Sequence, residues 1–148
     1  AMTSDVFASK ALDATRSSNI ADFDLGKDNL AIEGYDPVAY FLQDEPVKGK
    51  DDYESTYLGV RYRFANESNR AKFAANPEAY APTYGGWCAT AMADGKKVEI
   101  NPKNYKITDG RLFLFYKGII SNAKKDWDKK EPELTRKADA EWSKIIGN

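Results

Sequence analysis

Apolar and polar positions alternate most clearly over residues 53–64, where Val60, Tyr62 and Phe64 are separated by Arg61 and Arg63. A period of two gives one buried and one wet face, so this stretch predicts strand. Leu58-Gly59 lies in its middle and supplies a hairpin turn. A second hairpin is predicted from residues 105–108 and 112–116 around Asp109-Gly110, because Asp-Gly suits the two left-handed positions of a type I′ turn. Leu30-Ala31-Ile32 and residues 97–100 predict two further short strands.

Helical signals fill the gaps. Asn66 is placed to cap a helix running through Arg70, Phe73 and Ala74, which Asn76-Pro77 ends. A short turn then carries Ala79 and Tyr80 to Pro82. Residues 87–93 follow Gly85-Gly86 and are mostly small, which predicts a tightly packed helix stopped by Asp94-Gly95. Trp127, Leu134, Ala138, Trp142 and Ile145 make one apolar stripe, with Pro132 predicting a break and restart inside it. Gly34-Tyr35-Asp36-Pro37 is turn chemistry, after which Val38-Ala39-Tyr40-Phe41 returns to the core.

These elements predict an α+β fold: a small antiparallel sheet of hairpins packed against short helices, with a C-terminal helical segment. The expected organisation is an N-terminal arm over 1–29, a core domain over 30–117, and a helical segment over 118–148 packed on the core. The arm is polar and without a sustained period, and Ala1-Met2-Thr3 reads as an expression remnant before a trimmed start. The stripe of the last segment suits either the core or a second copy of the chain.

Composition narrows the chemistry. The 148 residues fit one core, and 22 basic against 23 acidic side chains leave no surplus to hold nucleic-acid phosphates. No run of apolar residues is long enough to predict a membrane span. Histidine is absent, which removes the usual general base and the commonest metal ligand. One cysteine, Cys88, excludes an intrachain disulfide and a multi-thiolate cluster. Gly86-Trp87-Cys88-Ala89 is superficially like a papain-type nucleophile turn, but no imidazole exists to take the thiol proton.

Three groups carry what chemistry is left. Cys88 follows two glycines and is expected in the first turn of a helix, where backbone N–H groups favour a thiolate; it reads as a nucleophile, redox thiol or soft-metal ligand, or as a small packed residue. Met92 stands four residues on, which places a thioether on the same helical face and suits Cu(I), or else fills the core. Tyr35, Asp36, Tyr40, Tyr84 and Trp87 gather at the turn motifs and are candidates to line a ligand cleft.

Gly34-Tyr35-Asp36-Pro37-Val38-Ala39-Tyr40-Phe41, then Tyr62-Arg63-Phe64 with Asn66, Phe73, Asn76-Pro77-Glu78 and Tyr80, then Tyr84-Gly85-Gly86-Trp87-Cys88-Ala89, resemble the ordered motifs of the YHS-domain family. The last run resembles that of its small, commonly exported branch. The similarity spans roughly residues 30–117. It implies a compact α+β domain, a periplasmic or secreted location, and a link to heavy-metal handling, copper included, in cysteine-rich relatives. Where those relatives carry cysteines this chain has Ala39, Ala65 and Asn69, so of that chemistry only Cys88 is carried over. Three functions follow as expectations: a non-enzymatic binding domain handling copper through Cys88, a small-ligand or protein-partner module with an aromatic cleft, or a thiol-based redox protein.

Overall fold

The computed structural model describes residues 20–147, so the expectation for the arm before residue 20 and for Met2 lies outside the described residues. The fold is α+β, with two separate two-stranded antiparallel sheets rather than one. The first hairpin joins β1 (Lys50–Tyr57) to β2 (Val60–Phe64), with Tyr57 opposite Val60. Leu58 and Gly59 both take positive φ, as a type I′ connection requires. The buried–half-buried alternation along β2 follows Val60, Tyr62 and Phe64 inward.

The second hairpin joins β3 (Asn101–Thr108) to β4 (Arg111–Phe115) through Asp109 and Gly110, again both at positive φ. Every residue of β4 is buried. Period two sends Leu112 and Leu114 into one apolar cluster, with Val38, Tyr40, Val60, Tyr62, Phe64 and Phe73. It sends Phe113 and Phe115 into another, with Cys88, Met92, Trp127, Ala138 and Trp142. β4 is therefore the wall shared by the two halves of the core.

Five short helices cover these hairpins. Helix α1 (Pro37–Leu42) starts on Asp36, whose Oδ1 accepts from Val38 N (2.8 Å) and Ala39 N (3.3 Å), with Pro37 in the first turn. Helix α2 (Glu67–Ala75) starts on Asn66, whose Oδ1 accepts from Asn69 N at 2.8 Å. Helix α3 is only Ala89–Met92. Helices α4 (Ala123–Lys129) and α5 (Glu131–Ile145) are separated at Lys130, with Pro132 in the first turn of α5. Trp127, Ala138 and Trp142 of the stripe are buried on the core, Leu134 and Ile145 pack half-buried against it, and Ile146 joins them.

Three local expectations change. Leu30-Ala31-Ile32 forms isolated bridges to Arg61 and Leu25 instead of a strand, because Ile32 and Glu33 turn into the left-handed region. Residues 97–100 do not form a strand; Val98 O accepts from Cys88 N at 2.9 Å and Lys97 Nζ pairs with Asp22 Oδ1 at 3.2 Å. Trp87 and Cys88 are extended rather than helical, since Cys88 pairs as a bridge with Leu114.

Candidate functional site

The Tyr84-Gly85-Gly86 turn is built from three consecutive residues at positive φ (+56°, +61° and +90°). The N-terminal segment crosses it as a strap. Asp24 N donates to Gly85 O (2.9 Å), Trp87 Nε1 donates to Asp22 O (2.6 Å), and Phe23 meets Trp142 edge-on. A Cβ on Gly85 would sit 2.9 Å from Trp142 Cη2 and 3.2 Å from Phe23 Cα, so only glycine allows the strap this close.

Two adjoining clefts open beside the strap and share Asp24, Leu25, Ile32 and Gly86 as common wall. The inner one is an apolar slot of about 60 Å³ between Phe23, Tyr57, Val60, Tyr62, Pro82, Tyr84 and Trp142. The outer one is about 330 Å³ and carries the carboxylates of Asp24, Glu33 and Glu99. Among the described residues none of these three side chains has a hydrogen bond or ion pair. Burial, then the nearby Glu99 and Glu33, push the half-buried Asp24 carboxyl up to about 6.

Two polar atoms in the slot's wall lack hydrogen-bond partners among the described residues: Thr83 Oγ1 and Trp142 Nε1. Thr83 is 6% exposed and Trp142 2%. The other two indoles are satisfied, Trp87 on Asp22 O and Trp127 on Glu131 Oε2. A buried donor without a partner costs about 1–3 kcal/mol, so such atoms mark a place built to meet something else.

Backbone strain gathers at the same walls. Positive φ at Asp28, Asn29, Asp44 and Asp109 falls on short polar side chains that tolerate it. Ile32 (φ +53°) and Tyr84 (φ +56°) are β-branched and bulky, true outliers, and both line the slot. Tyr84 is anchored by its hydroxyl, which donates to Asp139 Oδ1 at 2.7 Å, while Arg111 pairs with the same carboxylate at 2.8 Å. At the slot's far edge Tyr57 OH donates to Glu78 Oε1 (3.1 Å); burial, then that bond, push the phenol up to about 12.

The sequence-predicted residues divide. Tyr84 lines the slot and Trp87 fastens its strap. Asp36 and Tyr40 lie elsewhere, fully buried. Asp36 Oδ2 accepts from Ala65 N and Asn69 Nδ2, both at 2.8 Å, and so ties α1 to β2 and α2. Tyr40 OH donates to Pro102 O at 2.6 Å, and burial raises its pKa strongly. Tyr35 is half-buried and bridges to Lys48.

Cys88 and Met92 belong to one apolar cluster in the dry core, at 1% and 0% exposure. Cys88 caps a four-residue helix from an extended conformation and is not within its first turn. Among the described residues no group of three His, Cys, Asp or Glu side chains is arranged to hold a metal.

Asp24, Thr83 and Trp142 were not singled out by sequence. Trp142 sits in a helical stripe that spells core, and Thr83 has no pattern at all. Gly85-Gly86, with Tyr84 and Trp87 beside them, pointed to this turn. No family model, curated protein or solved structure matches this chain.

Proposed function

We propose that this chain is a non-enzymatic binding domain of the YHS type that takes a small molecule in the cleft beneath the 22–26 strap. The ligand class is a short apolar body with a hydrogen-bond acceptor at one end and a cation at the other. The observation that carries this is that Thr83 and Trp142, residues lining an apolar slot, each bury a polar atom, Oγ1 and Nε1, that has no partner among the described residues. Both atoms are shielded in the ligand-free protein, so the slot's wall shifts to admit an acceptor, which then removes their desolvation cost. The volumes set the size. A slot of about 60 Å³ takes an aliphatic chain end, and the outer 330 Å³ lies at the low end of small-molecule sites. The three carboxylates at the outer cleft, without an ion pair among the described residues, favour a positive end.

N-Acetylcadaverine has this shape: an acetamide, a flexible methylene chain and an ammonium. Its neutral and anionic counterparts are N-pentylacetamide and N-acetylaminocaproate. Two-dimensional NMR should show the Trp142 indole N–H moving downfield on titration, while that of Trp127 stays. Trp142→Phe should weaken binding about tenfold with the fold intact. Titration with no movement of the Trp142 signal by any of the three would end this reading. The copper reading through Cys88 predicts instead stoichiometric Cu(I) uptake that Cys88→Ser abolishes.

A further inference from the structure

The loop between β4 and α4 ends in two isoleucines that pack on nothing. Ile119 is 106% exposed and Ile120 99%. The loop holding them is fastened. Gly118 N donates to Ser121 O (2.8 Å), Lys117 bridges Asn122, and Ala123 N donates to Tyr116 O (3.1 Å). From outside the loop Asn104 Nδ2 donates to Tyr116 O (3.2 Å) and Asn122 Oδ1 (2.9 Å), and Thr90 Oγ1 donates to Ala123 O (2.7 Å). The result is a held miniature hairpin with the isoleucines as its two tip residues.

Loop tips favour Gly, Asn, Asp and Pro, and two β-branched apolar residues contradict that chemistry. They add nothing to the core here. A local rule broken without a structural return marks a functional surface. The surroundings say which kind. Residues 110–125 contain no acidic side chain; Lys117 and Lys125 stand at the neck of the tip, while Lys124 pairs with Asp128 at 3.6 Å and the exposed Asp126 and Asp128 lie further along α4. Lys117 and Lys125 are exposed, and the 41%-exposed Tyr116 ring lies against Gly118. An apolar tip, a basic collar and an aromatic at the junction match the layering of an anionic bilayer: acyl chains, headgroups, interface.

We propose that the 116–125 hairpin docks this domain on anionic lipid surfaces, with Ile119 and Ile120 entering the acyl boundary and the lysine collar meeting the headgroups. The charge complementarity selects a lipid surface over a neutral apolar partner. This rests on neither the cleft nor its ligand.

Co-sedimentation with vesicles tests it. The chain should pellet with phosphatidylcholine vesicles containing phosphatidylglycerol and about tenfold less with pure phosphatidylcholine, and added salt should release it. Ile119→Ser with Ile120→Ser should lower partitioning at least about tenfold, and Lys117→Glu with Lys125→Glu as much or more. All four positions are exposed, so unchanged melting temperatures are expected and are checked alongside. An Ile119→Cys variant carrying a polarity-sensitive dye should shift to the blue on anionic vesicles; buried Cys88 leaves the label on one site. No pelleting with anionic vesicles at low salt overturns the proposal. So does pelleting that the isoleucine variant retains, or an isoleucine-dependent dimer in solution without lipid binding.

Discussion

Asp24→Asn should stabilise the protein at neutral pH and do so only there. Burial, then Glu99 and Glu33, push the Asp24 carboxyl up to about 6 from an ordinary 3.8, so the folded state holds its proton where the unfolded chain has lost it. Between those two values the folded state binds more protons, and stability falls as pH rises. The destabilisation is absent below about pH 4 and fully developed above about pH 6. A shift of about two units corresponds to roughly 3 kcal/mol at 1.36 kcal/mol per unit. Asp24 is only half-buried, so solvent screening reduces this to about 1 kcal/mol. Asparagine removes the charge against Glu33 and Glu99, and it costs no hydrogen bond, because the carboxylate makes none among the described residues. Urea denaturation of both proteins from pH 4 to pH 8 reads the difference directly, since carboxylates that do not interact with Asp24 cancel between them. The variant's midpoint should coincide with wild type at pH 4 and exceed it by an amount worth about 1 kcal/mol at pH 7. Parallel curves across the whole range would refute the unpaired, like-charged environment. The same variant should bind N-acetylcadaverine several-fold more weakly, the split expected of a group that serves a ligand at the expense of the fold.

Three other substitutions or measurements bear on the same chain. Thr83→Val should leave the ligand-free protein as stable as wild type or up to about 1 kcal/mol more stable by thermal melting, since the hydroxyl it deletes is buried without a partner; a loss above about 1 kcal/mol would show that the hydroxyl is satisfied. Asp36→Ala should cost about 3 kcal/mol or more in denaturant unfolding, because it removes a helix cap and strands Ala65 N and Asn69 Nδ2, whereas loss of a merely exposed turn residue would cost under about 0.5 kcal/mol. Cys88 should be inert to an aromatic disulfide reagent in the native state and react stoichiometrically in denaturant; rapid native labelling would restore the redox reading.

Much of the architecture was legible because it rests on short-range chemistry. Asp109-Gly110 and Leu58-Gly59 announce their turns through residues that accept positive φ, and Asn66 and Pro132 mark helix starts by capping and by a fixed φ. The errors share a different cause. Trp87 and Cys88 have helix-compatible neighbours, yet Cys88 is drawn into an extended bridge with Leu114, a pairing across 26 residues that no local pattern contains. Ile32 has every strand propensity and takes φ +53°. Tertiary packing overrides local preference at both places. The aromatic candidates were half legible for the same reason. A tyrosine near a turn motif gives no sign of where its hydroxyl goes. Tyr40's is bonded to Pro102 O across the core, and Tyr84's reaches Asp139 on α5.

That last contact changes the standing of the C-terminal helix. Read from sequence, it is a stripe that covers the core. In the structure α5 supplies Trp142 to the slot wall and Asp139 to the hydroxyl of Tyr84. Tyr84 sits in a left-handed conformation that costs about 1–3 kcal/mol for a bulky residue. Glycine or asparagine would take that φ with less strain but would forfeit the buried ring that packs on Phe113. The Tyr84–Asp139–Arg111 network offsets the strain, and it does so only when α5 is docked. The positive φ at Tyr84 begins the run that lets Gly85 and Gly86 pass under the strap, and the strap is what encloses the slot. The cleft therefore depends on residues 22–26, 83–86 and 139–142 together, three segments far apart in sequence. A change that loosens α5 should open the cleft before it unfolds either hairpin, because β1–β2 and β3–β4 keep their own ladders and turns.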